Sequence, residues 1–83
     1  MESTTQCLIS ENLNREKVFQ LVSVANQFES NILIELNRKR FNAKSLLSVG
    51  MLHGAHGEIF FHANGDDCET ALEELKKICV EIQ

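Results

Sequence analysis

The sequence predicts an α+β fold in which helices pack on one face of an antiparallel sheet. The first observation behind this prediction is the order of segments, β-α-β-β-α-β-α. It is read from apolar residues that alternate in some segments and recur at helical spacing in others. The second is size, because 83 residues of which 43% are hydrophobic can bury one core. The third is continuity: no linker, repeat or low-complexity stretch interrupts the chain, so we expect residues 1–83 to form one domain.

The first third of the chain predicts a strand followed by a helix. A β-prone run covers Thr4–Ser10, and Glu11–Asn14 contains residues that favour turns and helix caps. Asn14 is the expected N-cap. One apolar stripe at helical spacing defines the helix: Val18, Leu21, Val22, Ala25 and Phe28. Ser30 and Asn31 break this pattern, so we expect the helix to end before them.

The middle of the chain predicts a hairpin and then a short helix. Alternation over Ile32–Leu36 is typical of a strand, Asn37–Arg38 suits a tight turn, and a second strand follows around Lys39–Asn42. Ser45 is a good N-cap. The apolar residues after it repeat at helical spacing and predict a helix of two turns: Leu46, Val49 and Leu52.

The last third predicts a loop, a strand and a long amphipathic helix. His53–Gly57 is the loop and Glu58–Asn64 the strand. Asp66, with Glu69 three residues later, has the spacing of a capping box. The apolar face of the final helix consists of Leu72, Leu75, Ile78, Cys79 and Ile82.

Composition and charge exclude several functional classes. The 8 Lys and Arg against 12 Asp and Glu give a net charge of −4, which argues against a general nucleic-acid binder. No apolar run is long enough to cross a bilayer, and the first residues lack the pattern of a signal peptide. We therefore expect a cytoplasmic protein with no membrane attachment.

The cysteines and histidines do not predict a metal or cofactor site. The three cysteines lack CxxC spacing and are expected to be free, half-buried thiols: Cys7, Cys68 and Cys79. His53 and His56 share a glycine-rich loop, but no acidic or thiol ligand stands at motif spacing. His62 falls on a strand instead.

Two segments of the second half carry a resemblance to a known family. Asn42–Val49 reads Asn-Ala-Lys-Ser-Leu-Leu-Ser-Val, and Ala63–Leu72 reads Ala-Asn-Gly-Asp-Asp-Cys-Glu-Thr-Ala-Leu. They resemble the regulatory serine segment and the start of the last helix in the HPr phosphocarrier family of the bacterial sugar phosphotransferase system. The resemblance covers nearly the whole chain, from about Thr4 to Ile82. It implies an open-faced β-sandwich, with a four-stranded antiparallel sheet and three helices on one side.

The phosphate-carrying motif of that family, Gly-(Ile/Leu)-His-Ala-Arg-Pro-Ala, is replaced here. The corresponding stretch, Asn12–Val18, reads Asn-Leu-Asn-Arg-Glu-Lys-Val. Asn14 occupies the histidine position and Glu16 the arginine position. A carboxamide is not a comparable nucleophile, and a carboxylate would repel an incoming phosphate. We therefore expect no histidine phosphotransfer at this site, no catalytic residue and no enzymatic activity.

Ser45 aligns with the regulatory serine of the family. A chain that lacks the histidine but keeps the serine is similar to the catabolite-repression HPr-like branch, which acts through phosphoserine. A phosphate on a helix N-cap would meet free N–H groups and the positive end of the helix. Ser45 is either a plain helix cap or a cap that a kinase modifies, and the sequence leaves both interpretations open.

Two surfaces are predicted to bind proteins. Leu46 and Leu47 match the exposed apolar pair by which family members dock on partners, and with Met51 they form the predicted partner-binding surface; ordinary core packing is the alternative. Strand alternation also directs apolar residues of three strands, adjacent in the family's order 1-4-2-3, to the open face. This possible dimer face consists of Leu8, Leu33 and Phe60.

Three functional hypotheses follow. The leading one is a regulatory or interaction module that binds proteins of the phosphotransferase system or a serine kinase. The second is a diverged phosphocarrier that uses another residue, for which the chemistry allows His53, His56 or His62. The third is a structural homodimer without phosphotransfer chemistry.

Overall fold

The computed structural model describes residues 1–9 and 13–82, with side chains up to residue 79, and confirms the predicted order of elements. The strands are β1 (Glu2–Ile9), β2 (Asn31–Leu36), β3 (Lys39–Asn42) and β4 (Gly57–Asn64). The helices are α1 (Arg15–Ala25), α2 (Leu46–Gly50) and α3 (Cys68–Ile82). Ser10 of the first predicted strand, Glu11 and Asn12 of the predicted turn, and the Ile82 side chain lie outside the described part. Within that part, no helix is long and apolar enough to cross a membrane.

The four strands form one antiparallel sheet in the order β1-β4-β2-β3. All eight residues of β1 pair with β4, so the strand begins at Glu2 and not at the predicted Thr4. The turn between β2 and β3 is as predicted. Asn37 and Arg38 both adopt left-handed conformations, with φ of 53° and 68°, as a two-residue hairpin turn between right-twisted strands requires.

Each of the three helices buries part of its apolar residues on the same side of the sheet. The apolar strand residues on the helix side of the sheet are buried: Cys7, Ile9, Ile32, Ile34, Ile59 and Phe61. The helices and the turn after α2 contribute Val18, Leu21, Ala25, Val49, Leu52, Leu72, Leu75, Ile78 and Cys79. The fold is therefore the predicted open-faced β-sandwich, in which the helices leave the second face of the sheet uncovered.

Helix α1 ends earlier than the apolar stripe indicated. The helix stops at Ala25 because the Asn26 side chain donates hydrogen bonds to the carbonyl oxygens of Val22, at 2.8 Å, and Lys44, at 3.1 Å. These bonds tie the helix end to the segment that precedes α2. Phe28 consequently packs on the core from the following loop.

Helix α3 begins at Cys68, so its cap position is Asp67 and the predicted cap at Asp66 is wrong. The Asp67 carboxylate accepts hydrogen bonds from the backbone N–H groups of Glu29, at 2.9 Å, and Ser30, at 3.0 Å, and from the Ser30 hydroxyl. These partners lie far away in the chain, so a local sequence pattern could not reveal them. Asp67 thereby fastens the α1–β2 loop to the start of α3.

The hydrogen bonds to Asp67, first the one from the Ser30 hydroxyl, hold the pKa of this carboxyl below its ordinary value. A depressed folded-state pKa adds stability above the unfolded-state pKa, and that contribution is lost as the pH falls through the folded-state pKa. We expect the free energy of unfolding in urea to decline below about pH 4 in the wild type and less steeply in Asp67→Asn. Asp66→Asn is the matched control and should keep the wild-type slope. Equal slopes for Asp67→Asn and the wild type would contradict this assignment.

Candidate functional site

The start of α1, where the resemblance places the family's phosphate-carrying histidine, is capped by Asn14. The Asn14 Oδ1 atom accepts a hydrogen bond from the Lys17 N–H at 2.8 Å, and the Asn14 carbonyl oxygen accepts from the Val18 N–H at 3.0 Å. This confirms the predicted N-cap. The carboxamide therefore serves the backbone of the helix and offers no nucleophile. Arg15 and Glu16 follow it with exposed side chains.

A loop packs beside this helix start and brings His53 close to it. The Leu13 N–H donates to the Ala55 carbonyl oxygen at 2.8 Å, and the Gly54 N–H donates to the Leu13 carbonyl oxygen at 2.7 Å. As a result, His53 and Arg15 line the same surface cavity of about 290 Å³. Its other lining residues are Val18, Phe19, Leu46 and Gly50. The sequence alone does not predict that Arg15 and His53 lie close together, because their proximity depends on backbone hydrogen bonds between distant segments.

Ser45 caps α2 as predicted. Its Oγ atom accepts a hydrogen bond from the Ser48 N–H at 3.2 Å, and its side chain is only partly buried. The preceding residue, Lys44, makes two hydrogen bonds. Its side-chain ammonium donates to the Phe28 carbonyl oxygen at 2.6 Å, and its backbone N–H donates to Asn42 Oδ1 at 3.0 Å. The serine hydroxyl thus lies at a fixed, partly accessible position at the edge of α2.

Helix α2 exposes the apolar residues of the predicted partner-binding surface. Leu47 and Met51 are 85% and 75% exposed, and Leu46 is 46% exposed, so core packing does not account for them. Phe19 of α1, also half exposed, extends this surface and was missed. It lies off the buried stripe of α1, and an aromatic residue in such a position was the available signal. We refer to Phe19, Leu46, Leu47 and Met51 as the docking patch.

The open face of the sheet does not carry the continuous apolar strip that the sequence analysis predicted. Leu8 is 51% exposed, but Leu33 and Phe60 are partly buried. In the observed register Leu33 stands opposite His62, and Phe60 stands opposite Gln6 and Glu35. Polar residues therefore separate the three apolar ones, because the register alternates the two kinds of side chain across the strands.

A hydrogen-bonded row of polar side chains crosses this face from β1 to β3. Thr4 Oγ1 lies 3.0 Å from His62 Nδ1, His62 Nε2 lies 2.8 Å from Glu35 Oε1, and Arg40 Nε lies 3.4 Å from the same oxygen. The Phe60 ring stacks with the His62 ring at a centroid distance of 6.4 Å. Both ring nitrogens of His62 are thus engaged, and a carboxylate stands next to one of them. This histidine is poorly placed to receive a phosphoryl group.

The histidines and cysteines of the described residues do not form a metal site. Among residues 1–9 and 13–79, no three His, Cys, Asp or Glu side chains come together as a metal site would require. His56 is exposed in the loop before β4. The three cysteines are free and fully buried, so the expectation of half-buried thiols is wrong. All three lie on the apolar faces that form the core.

Sequence comparison connects the chain to a family whose profile is described as the PTS HPr component phosphorylation site, which matches residues 5–81. The phosphocarrier protein HPr of Buchnera aphidicola is 35% identical over 72 residues, which cover 86% of this chain and 85% of that protein. The HPr-like protein Crh of Bacillus subtilis is 38% identical over 55 residues, which cover 65% of each protein.

Solved structures of this family share the fold. The histidine-containing phosphocarrier protein of a mycoplasma superposes with a TM-score of 0.86 at 28% identity, covering 95% of this chain and 93% of that one. The crystal structure of Bacillus subtilis Crh, described as a dimer with domain swapping, superposes with a TM-score of 0.74 at 30% identity, covering 86% and 83%. With a profile match over nearly its whole length and the same fold, the chain belongs to the HPr family of phosphocarrier and HPr-like proteins.

Proposed function

We propose that this HPr-family protein is a regulatory or interaction protein, not an enzyme, and that it carries no phosphate on a histidine. The observation that supports the proposal is the cap of α1. Asn14 stands where the resemblance places the family's histidine, and its side chain is already committed to the Lys17 N–H. The exposed Glu16 carboxylate adds negative charge where a bound phosphate requires positive charge.

The docking patch supports a protein partner. Exposed apolar side chains of this size, grouped on neighbouring helices, are typical of interaction surfaces. The residues around the patch include Arg15, so an apolar partner surface with an acidic rim would be complementary. We propose cytoplasmic proteins of the phosphotransferase system or a serine kinase as partners, without a role in binding nucleic acid or membranes.

Ser45 is the proposed switch of the docking patch. A phosphate on its Oγ atom would bring about −2 charge next to Leu46 and Leu47, of which Leu47 is the most exposed residue of the patch. The positive end of α2 and the N–H groups of its first turn would stabilise that charge without a change of fold. Phosphorylation would then favour partners with a basic rim and weaken binding of partners with an acidic one.

The switch is tested by incubating the protein with the family's serine kinase and ATP and measuring the intact mass. We expect a gain of about 80 Da that survives acid, because a phosphate ester is acid-stable. Ser45→Ala should abolish this gain. Ser48→Ala, which changes the neighbouring serine of the same helix, should keep it. A wild-type protein that stays unlabelled while an HPr with the regulatory serine is labelled would contradict the switch.

A second candidate function has one specific observation in its favour. His53 lines a cavity with Arg15 beside the start of α1, which is the place where the family's phosphate chemistry occurs. If a phosphorylated partner docked there, a ring nitrogen of His53 could attack the phosphorus while the bond from phosphorus to the partner's side chain breaks and that side chain leaves. The Arg15 guanidinium would neutralise the charge of the transferred group. Under this alternative the protein is a diverged phosphocarrier. A phosphate taken from the phosphorylated partner that is lost in His53→Gln but kept in His56→Gln would identify His53 as the carrier residue.

Self-association is a further proposed property, supported by the swapped dimer described for Crh. Strand β1 is an edge strand that pairs only with β4 among the described residues, which makes it the element that two chains could exchange. The polar row across the open face argues against a dimer formed through that face.

Sedimentation velocity at increasing protein concentration tests this property. We expect a dimer whose fraction is unchanged in Leu33→Glu, because that substitution affects the open face alone. A protein that stays monomeric at every concentration, or a dimer that Leu33→Glu dissolves without unfolding the monomer, would contradict exchange of β1.

A further inference from the structure

The sulfur-containing side chains that face solvent are the methionines. The chain has three cysteines and two methionines. The three thiols are free and buried, whereas Met51 and Met1 are 75% and 74% exposed. An oxidant in solution therefore reaches the two thioethers before the thiols. Met51 belongs to the docking patch, whereas Met1 precedes β1, where its carbonyl oxygen accepts a hydrogen bond from the Gly65 N–H at 2.8 Å.

Helix α2 fixes the position of Met51 within the patch. Met51 follows the last residue of the helix as its C-cap, still in a helical conformation, and its N–H donates to the Ser48 carbonyl oxygen at 3.2 Å. It lies four residues after Leu47, so the two side chains stand on the same side of the helix. Together with Leu46 and Gly50, these two residues line a surface cavity of about 630 Å³. The Met51 thioether is thus part of the surface that a docked partner would cover.

We propose that Met51 is an oxidative modification site, at which a hydroperoxide converts the thioether to a sulfoxide and thereby weakens binding at the docking patch; this inference rests on the docking function proposed above. The Met51 sulfur attacks one peroxide oxygen, an S–O bond forms, and the O–O bond breaks. The proton on the attacked oxygen moves to the other oxygen, which leaves as water or an alcohol. The thioether is oxidised by two electrons as the peroxide is reduced by two.

The sulfoxide changes the chemistry of the patch and leaves the core intact. The thioether sulfur is a weak hydrogen-bond acceptor, whereas oxidation makes the side chain polar. In an apolar contact the new oxygen would be buried without a donor, which lowers the affinity for the partner. Because the Met51 side chain is three-quarters exposed, the fold has room for the added oxygen. We therefore expect the same free energy of unfolding in urea before and after oxidation.

The test treats the reduced, full-length protein with hydrogen peroxide, removes the peroxide, and maps the oxidised residues by mass spectrometry. We expect a gain of about 16 Da on Met51 at nearly the same rate in the native protein and in the urea-unfolded chain, because the fold leaves this side chain open to solvent. All three thiols of the native protein should remain alkylatable.

Binding of the family's serine kinase to the oxidised protein is then measured by isothermal titration calorimetry. We expect the oxidation of Met51 to raise the Kd roughly 10-fold, because a buried polar group without a partner weakens the contact by that order. Methionine sulfoxide reductases, which act on the two sulfoxide epimers, should restore the original Kd.

Met51→Leu is the matched control, because it keeps an apolar side chain of similar size in the patch and retains Met1. It should bind the kinase as the wild type does, both before and after peroxide. The inference is overturned if the oxidised wild type binds as tightly as the reduced protein, if Met51→Leu loses affinity equally on oxidation, or if Met51 reacts far more slowly in the native protein than in the unfolded chain. A reduced wild type that does not bind the kinase would refute the proposed partner, and the inference with it.

Discussion

Replacing Leu47 with glutamate is expected to weaken binding to the family's serine kinase by roughly 100-fold while leaving the free energy of unfolding nearly unchanged. Leu47 is 85% exposed, so the fold does not depend on it. In a complex its burial would contribute about 2 kcal/mol, and glutamate would instead bring an unpaired charge into an apolar contact. A total loss of nearly 3 kcal/mol corresponds to roughly a 100-fold increase in Kd, measured by isothermal titration calorimetry.

Leu8→Glu provides the matched control, because it makes the same substitution at another exposed leucine, on the opposite face of the sheet. It should bind the kinase as the wild type does. If both variants bind with wild-type affinity, or if both lose affinity equally, the docking patch is not the binding surface. Urea unfolding of each variant separates a lost contact from a lost fold.

Gly65→Ala is expected to lower the free energy of unfolding by about 2–4 kcal/mol. Gly65 has a φ of +153°, and a Cβ atom there would lie 2.5 Å from Ser30 Oγ and 2.7 Å from Ser30 Cα. Ser30 is itself 1% exposed and hydrogen-bonded to Asp67, so it has little room to move. The substitution would push apart the α1–β2 loop and the start of α3. Urea unfolding measures the change.

Gly50→Ala is the control for this effect. Apart from its chain neighbours and the backbone of its own helix, no atom lies within 4 Å of a Cβ placed at Gly50, and the residue is helical. Alanine is favoured over glycine in a helix by up to about 1 kcal/mol, so this variant should be as stable as the wild type or more so. Equal destabilisation of the two variants, or none at Gly65→Ala, would contradict the role given to the close approach of Gly65 and Ser30.

The fold was predictable from sequence because its elements have distinct periodicities and local caps. Alternation identified the strands that carry Ile32 and Ile34, and Asn14 and Ser45 are caps that act within three residues of themselves. The wrong predictions concern the ends of two helices, which are set by contacts with residues far away in the sequence. The end of α1 depends on a bond from Asn26 to Lys44, and the cap of α3 on bonds from Asp67 to the α1–β2 loop. Such contacts have no local signature.

The candidate site was predictable only where one element carries it. Leu47 and Met51 follow from the pattern of α2 alone, whereas the contact between the Arg15 and His53 regions depends on how separate elements pack. The interrupted apolar strip on the open face has the same cause. Strand alternation correctly placed Leu33 and Phe60 on that face. The register between strands, which the sequence does not give, decides which polar residues stand between them.

The central claim, that this HPr-family protein carries no phosphate on a histidine, is tested most directly by one mass measurement. The protein is incubated with the general phosphotransfer enzyme of the system and phosphoenolpyruvate, beside an HPr that has the motif histidine, and its intact mass is recorded at neutral pH. We predict no change in mass while the HPr control gains about 80 Da. A gain of that size in this protein that disappears in acid would contradict the claim, and its loss in His53→Gln would assign the phosphate to the cavity beside Arg15.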